Sequence, residues 1–211
     1  MTRILILLIT STILFASCKS KQTQKEKQQE IKTGKLSDDN VYTANEVGWT
    51  VNIPEGWDVM TSKENDRLNE KGKDILEKSG AGEVDTEGLE QLVNLSKDKF
   101  NSFLSTIQPF TESNLYEQRV KGTFGAIRTA YASQNINAEY DEDVEDIDGL
   151  RFYRFRTKIF TPDKSKIILQ QVMYSRLING YDFGMTINYN NEENYKTLNE
   201  IVRKSQFTKR D

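Results

Sequence analysis

The chain has 211 residues, with 29 Lys and Arg against 32 Asp and Glu, a formal net charge of −3, one cysteine and no histidine. Lack of histidine excludes Ser-His-Asp and Cys-His nucleophilic sites and His-bearing zinc sites, and it removes the commonest general base. The near-balanced charge carries no nucleic-acid footprint, and the length suffices for one domain with its own core.

Arg3 is the only charge before Cys18. Residues 4–15, ILILLITSTILF, are apolar, and Ala16-Ser17 are small. A charged start, a short apolar run and small residues at its end make a secretory signal over 1–17. The run is too short for a transmembrane anchor, which needs ~20 residues. Ordinary signal cleavage fits poorly, because it would place Phe15 or Leu14 where a small residue belongs. The segment FASC, 15–18, instead resembles the bacterial lipobox, with Phe15 where that family usually has Leu. The resemblance implies that Cys18 is diacylated and becomes the new N-terminus. Two or more acyl chains anchor stably, so the membrane becomes a partner through the lipid. Lys19, rather than Asp, follows the cysteine; in the enterobacterial pattern this implies the outer membrane, facing the periplasm.

Residues 19–40, KSKQTQKEKQQEIKTGKLSDDN, hold only Ile31 and Leu36 as large aliphatics. So little apolar surface cannot offset the ordering entropy. A flexible tether is expected over 18–41, spanning roughly 25 Å as a coil, with a single globular domain over 42–211.

In GWTVNIPEGW, Trp49, Val51 and Ile53 alternate with Thr50 and Asn52, the pattern of a half-buried strand. Pro54 and Gly56 turn the chain. Thr61 or Ser62 caps a helix running to Lys78, with Leu68, Ile75 and Leu76 on its apolar stripe and Gly80 past its end. Two short strands flank Lys97–Asn101. A second helix begins at Thr111 or Ser113, with Leu115, Val120, Phe124, Ile127 and Tyr131 at helical spacing. Strands are expected at 138–147, 150–160, 166–178 and 181–189. Asp148-Gly149 and Asn179-Gly180 are strong hairpin signals. A last helix covers 192–205, with Tyr195, Leu198, Ile201 and Val202 inward, and Phe207 closes the domain. This order predicts an α+β fold, a mainly antiparallel sheet flanked by helices.

An opening strand ending in I-P-x-G-W (Ile53 to Trp57), a central hairpin, a helix, a meander and a final helix ending in S-x-F (Ser205 to Phe207) resemble the PsbP/Mog/DcrB-like α/β/α sandwich. The likeness covers about 43–208. It implies binding rather than catalysis, because what the family's varied members share is mostly binding. No functional residue carries over, since no site motif matches.

The acidic run EYDEDVEDID, 139–148, could suggest calcium, which takes six to eight oxygens. EF-hand spacing is absent, however, and no glycine turns the chain inside the run. If Asp148-Gly149 is a two-residue turn, Glu139 faces Lys158, Asp141 faces Arg156, Asp143 faces Arg154 and Asp146 faces Arg151. Such cross-strand pairs contribute roughly 0.2–1 kcal/mol each. The run reads as half of a structural charge ladder that would also blunt a sheet edge. No catalytic residue, metal ligand or cofactor motif is identified. The aromatics Trp49, Trp57, Tyr153, Phe155, Tyr174, Tyr181, Phe183 and Tyr189 read as packing. A basic face from Arg154, Arg156, Lys158 and Arg176 would have three of its members taken by the ladder.

The expected role is that of a non-catalytic envelope lipoprotein, a protein-binding or scaffold module. Two alternatives stay open. A carboxylate-based hydrolase of envelope glycans needs two carboxylates ~5–9.5 Å apart in one cleft. A chaperone or carrier for an apolar peptide or lipid needs a large apolar groove.

Overall fold

The computed structural model describes residues 22–80 and 86–208. The expected signal segment, Cys18 and residues 81–85 lie outside the described residues. The expected flexible tether gives way to folded chain from Gln22 onward. Helix α1 (Gln24–Glu30) opens with Thr23 and Glu26 in a reciprocal capping box, a T-x-x-E signature present in the sequence. Ile31 is buried in the main core. The Gln22 side chain clamps the Val59 backbone, donating to its carbonyl at 2.9 Å and accepting from its N–H at 2.8 Å. A carboxylate oxygen of Glu30 accepts the Ser62 N–H at 2.8 Å. Polar side chains reaching partners 32–37 residues ahead therefore dock this stretch, along with one isoleucine.

Strands β1 (Lys35–Leu36), β2 (Val41–Ala44) and β3 (Trp49–Asn52) follow. With the last strand of the chain they build a small antiparallel sheet. Trp49 sits at its centre, fully buried, against Tyr42, Phe103 and Phe183 at centroid distances of 5.7, 6.0 and 5.1 Å. A buried indole N–H needs an acceptor; it donates to Ser205 Oγ at 3.0 Å.

Strand β4 (Asp58–Val59) leads into α2 (Ser62–Lys78), whose start is a second box between Thr61 and Glu64. None of its described side chains is buried. Of the apolar stripe read from the sequence, Leu68 is exposed and Ile75 only half-buried. The helix is held instead by polar ties, Asn65 to Asn94 at 3.1 Å and Asn69 to Gln91 at 2.8 Å. Strands β5 (Glu90–Gln91), β6 (Leu95–Ser96) and β7 (Ser102–Pro109) come next.

A 3-10 turn at Ser113–Leu115 precedes α3 (Tyr116–Ser133). Its buried side chains are Tyr116, Val120, Phe124 and Ala130. Leu115 is exposed, because the α-helix starts one residue later and turns Tyr116 inward. The meander is β8 (Ala138–Ile147), β9 (Leu150–Phe160), β10 (Ile167–Ile178) and β11 (Tyr181–Tyr189). Asp148-Gly149 and Asn179-Gly180 join it with φ of 49°, 74°, 51° and 80°, the left-handed pair that a two-residue hairpin requires. Helix α4 (Glu192–Arg203) buries Leu198, Ile201 and Val202. Strand β12 (Gln206–Phe207) then pairs with β3.

The larger sheet runs β4-β6-β7-β11-β10-β9-β8, with β5 also on β7. One face, with Phe152, Val172, Phe183, Met185 and Ile187, packs under α4 and the small sheet. The other face meets α3, where Phe124 stacks on Phe155 at 4.6 Å. The architecture is an α+β sandwich with helices on both sides of an antiparallel sheet.

Candidate functional site: the charged edge of the meander

Strand β8 ends the larger sheet. The tight turn at 148–149 sets its register with β9: Glu139 stands opposite Lys158, Asp141 opposite Arg156, Asp143 opposite Arg154 and Asp146 opposite Arg151. Because strand side chains alternate, the first three pairs share the α4 side of the sheet. Asp146 and Arg151 lie on the other.

The charges are not distributed rung by rung. Arg154 holds Asp143 bidentately, Nε to Oδ1 at 2.7 Å and Nη2 to Oδ2 at 2.6 Å. It also ion-pairs with Glu145, whose carboxylate is buried and is reached from α4 by Arg203. Arg156 pairs with Asp141 and, at 2.9 Å, with Asp143. Among the described residues, no ion pair within 4.0 Å closes Glu139–Lys158 or Asp146–Arg151, although both stand in register. So the four expected rungs become a cluster of Arg154, Arg156 and Arg203 with Asp141, Asp143 and Glu145. The register was legible in the sequence. The roles of Glu145 and Arg203 were not, because they depend on where α4 crosses the sheet.

The cluster's electrostatics follow from these contacts. The Arg154 hydrogen bonds are the main reason the Asp143 carboxyl is held below its ordinary value, and Asp143 in turn raises the Arg154 guanidinium. Burial pushes the Tyr174 phenol, on the same face, up to about 12. Each carboxylate of the cluster already accepts from an arginine, so the group neutralises itself. Among the described residues there is no group of three or more His, Cys, Asp or Glu placed to hold a metal ion. Arg176, the fourth member of the suggested basic face, donates to the Arg151 carbonyl at 2.6 Å.

A second polar knot ties α3 to the opposite sheet face. Tyr116 Oη donates to Asp182 Oδ1 at 2.8 Å and Arg119 Nε to Asp182 Oδ2 at 2.8 Å. Ser175 Oγ also donates to Asp182, at 3.0 Å. Sequence reasoning missed this knot, since four residues from three elements carry no common spacing. Of the aromatics read as packing, Trp49, Trp57, Phe155, Tyr174, Phe183 and Tyr189 are buried, and Tyr153 and Tyr181 half-buried.

Clefts of about 340, 320 and 370 Å³ border the docked N-terminal segment, touching Gln22, Glu30 and Lys27 respectively. Acidic, basic and amide side chains mix in each, with no convergence on one chemistry. No helix among the described residues is long and apolar enough to cross a membrane.

No family model matches the sequence, and no curated protein matches it. The fold is similar to that of cyanobacterial PsbP (CyanoP) from Synechocystis sp. PCC 6803. The TM-score is 0.53 at 13% identity, covering 83% of this chain and 96% of that one. At that identity the likeness speaks for the fold alone: the chain has a PsbP-like α+β fold.

Proposed function

We propose that this chain is a bacterial envelope lipoprotein, anchored through Cys18, whose PsbP-like domain is a non-catalytic binding or scaffold module. The observation that carries the reading is the lipobox-like FASC sequence, followed four residues later by Gln22, whose side chain is tied to Val59. Lys19, rather than Asp, after the cysteine supports the outer membrane, facing the periplasm, as the location.

A binding role is favoured by how the domain uses its ionisable groups. A glycan hydrolase needs two carboxylates free to act on opposite sides of a glycosidic bond. Asp141, Asp143 and Glu145, which the sheet gathers on one face, are each held by arginine. The clefts beside the N-terminal segment are small and each carries charged side chains, which gives an apolar carrier little to work with.

Metabolic labelling with a palmitate analogue tests the anchor. The wild type takes up label and partitions with membranes, and Cys18→Ala does neither. Equal labelling of both proteins sinks the reading. Intact mass then shows whether diacylglycerol is the group attached.

A further inference from the structure

The end of the larger sheet that carries the turns 97–101 and 161–166 includes the end of β6, whose partner β4 holds Gln22. Gln22 is fastened to Val59 by two hydrogen bonds. Cys18 precedes it by four residues, so their Cα atoms can be no more than about 14 Å apart, whatever the path between them. Val59 stands opposite Leu95. Strand β6 ends one residue later at Ser96, where turn 97–101 begins.

The register carries that end across the sheet. Ser96 pairs with Ser102, Ser102 with Asn188, Asn188 with Gln171, and Gln171 with Thr157. The β9–β10 turn at 161–166 therefore projects from the same end as turn 97–101. With strands ~4.8 Å apart, the two turns are about 14 Å apart across the sheet, and the β9–β10 turn reaches a few residues further along the strands.

The three most exposed large hydrophobic side chains among the described residues lie at this end: Phe100 at 43% in turn 97–101, and Ile167 at 45% and Ile168 at 47% at the start of β10, just after turn 161–166. Ile168 sits where the β9–β10 register shifts, and a bulge re-aims side chains in this way. Lysines flank both tips. Lys99 lies 5.5 Å from the Phe100 ring centroid, and Lys164 and Lys166 border the isoleucines. The two turn aspartates point back into their own loops. Asp98 accepts from the Phe100 and Asn101 N–H groups, and Asp163 from Thr161 and Ser165.

We infer that this end is the membrane-facing surface of the domain. Phe100, Ile167 and Ile168 enter the boundary between headgroups and acyl chains, and the flanking lysines reach anionic headgroups. Apolar tips ringed by lysine suit that boundary, because long basic side chains lay their stems along apolar matter and keep their charge in water. The occupant is a bilayer, because the anchor's short reach holds this end near one. The inference rests on lipidation of Cys18.

The test uses the full lipidated protein in vesicles of phosphatidylcholine and phosphatidylglycerol. Lipid on Cys18 is first established by intact mass. Single cysteines at Phe100→Cys, Ile168→Cys and Leu115→Cys then carry an environment-sensitive fluorophore. Leu115 is a control of similar exposure after β7, whose Pro109 pairs with Tyr181 at the opposite end of the sheet. Spin-labelled phosphatidylcholine should quench the labels at 100 and 168 by about half and leave 115 unchanged. Quenching absent at all three sites, equal at all three or confined to 115, in protein that carries its lipid, overturns the inference alone. An unmodified Cys18 overturns the lipoprotein reading instead. All three sites are exposed, so the variants should fold.

Discussion

Arg154→Ala is the most informative single perturbation of the charged edge. The Arg154 side chain is 17% exposed, Glu145 7% and Asp143 37%. Removing the arginine therefore strands a buried carboxylate and a half-open one. Breaking a buried pair costs about 3–5 kcal/mol, and breaking an exposed one ~1 kcal/mol or less. Arg203 remains on Glu145, and water reaches Asp143, so we expect a loss of about 2 kcal/mol. Glu145→Gln in the Arg154→Ala background removes the stranded charge and should recover about 1 kcal/mol. Arg156→Ala is the contrast. Asp141 is 62% exposed, so the loss should be ~0.5 kcal/mol. Urea denaturation of the four proteins, with an unchanged m-value, measures these differences. The pH dependence has a definite sign. Asp143 is held below its ordinary value by Arg154. The stability from that contact is present above the unfolded aspartate value and is lost as pH falls through the lower folded one. The gap between wild type and Arg154→Ala should thus narrow below about pH 4. A loss under about 0.5 kcal/mol for Arg154→Ala, or no recovery with Glu145→Gln, would refute the claim that this charge is buried and held.

Two further outcomes follow from the docked N-terminal segment. A chain beginning at Val41 loses the buried Ile31 and the contacts of Gln22 and Glu30 with Val59 and Ser62. It should be less stable than one beginning at Lys19 by more than about 2 kcal/mol in urea; equal midpoints would mean that the segment is a spacer after all. Gly34 has φ of +84°, and a Cβ there would lie 2.3 Å from Tyr42 Oη, whereas a Cβ on Gly180 at +80° meets nothing within 4 Å. Both alanine variants suffer the ~1 kcal/mol left-handed penalty. Only Gly34→Ala should add a clash and also weaken the 2.6 Å bond from Tyr42 to the Thr33 carbonyl, which thermal denaturation of the pair resolves.

The meander was legible because its information is local. Each Asx-Gly turn forces one register, and the alternation of side chains then assigns every residue of β8 and β9 a partner and a face. The inward residues of α4 were legible for the same reason, since helical spacing alone selects Leu198, Ile201 and Val202. The N-terminal segment was not. Composition argued for a flexible tether, and the Thr23–Glu26 box predicts only a helix start, not that Gln22 and Glu30 have backbone partners more than 30 residues ahead. Helix α2 shows the converse. Its spacing marks an apolar stripe, but strand β5 and the link after it present Gln91 and Asn94 to its polar side chains. Glu145 makes the same point within a strand. The sequence by itself determined which face it lies on, and only the crossing of α4 decided that Arg203 meets it there. Periodicity fixes the direction of a side chain from its own backbone, whereas burial and charge pairing depend on what the rest of the chain brings to that side.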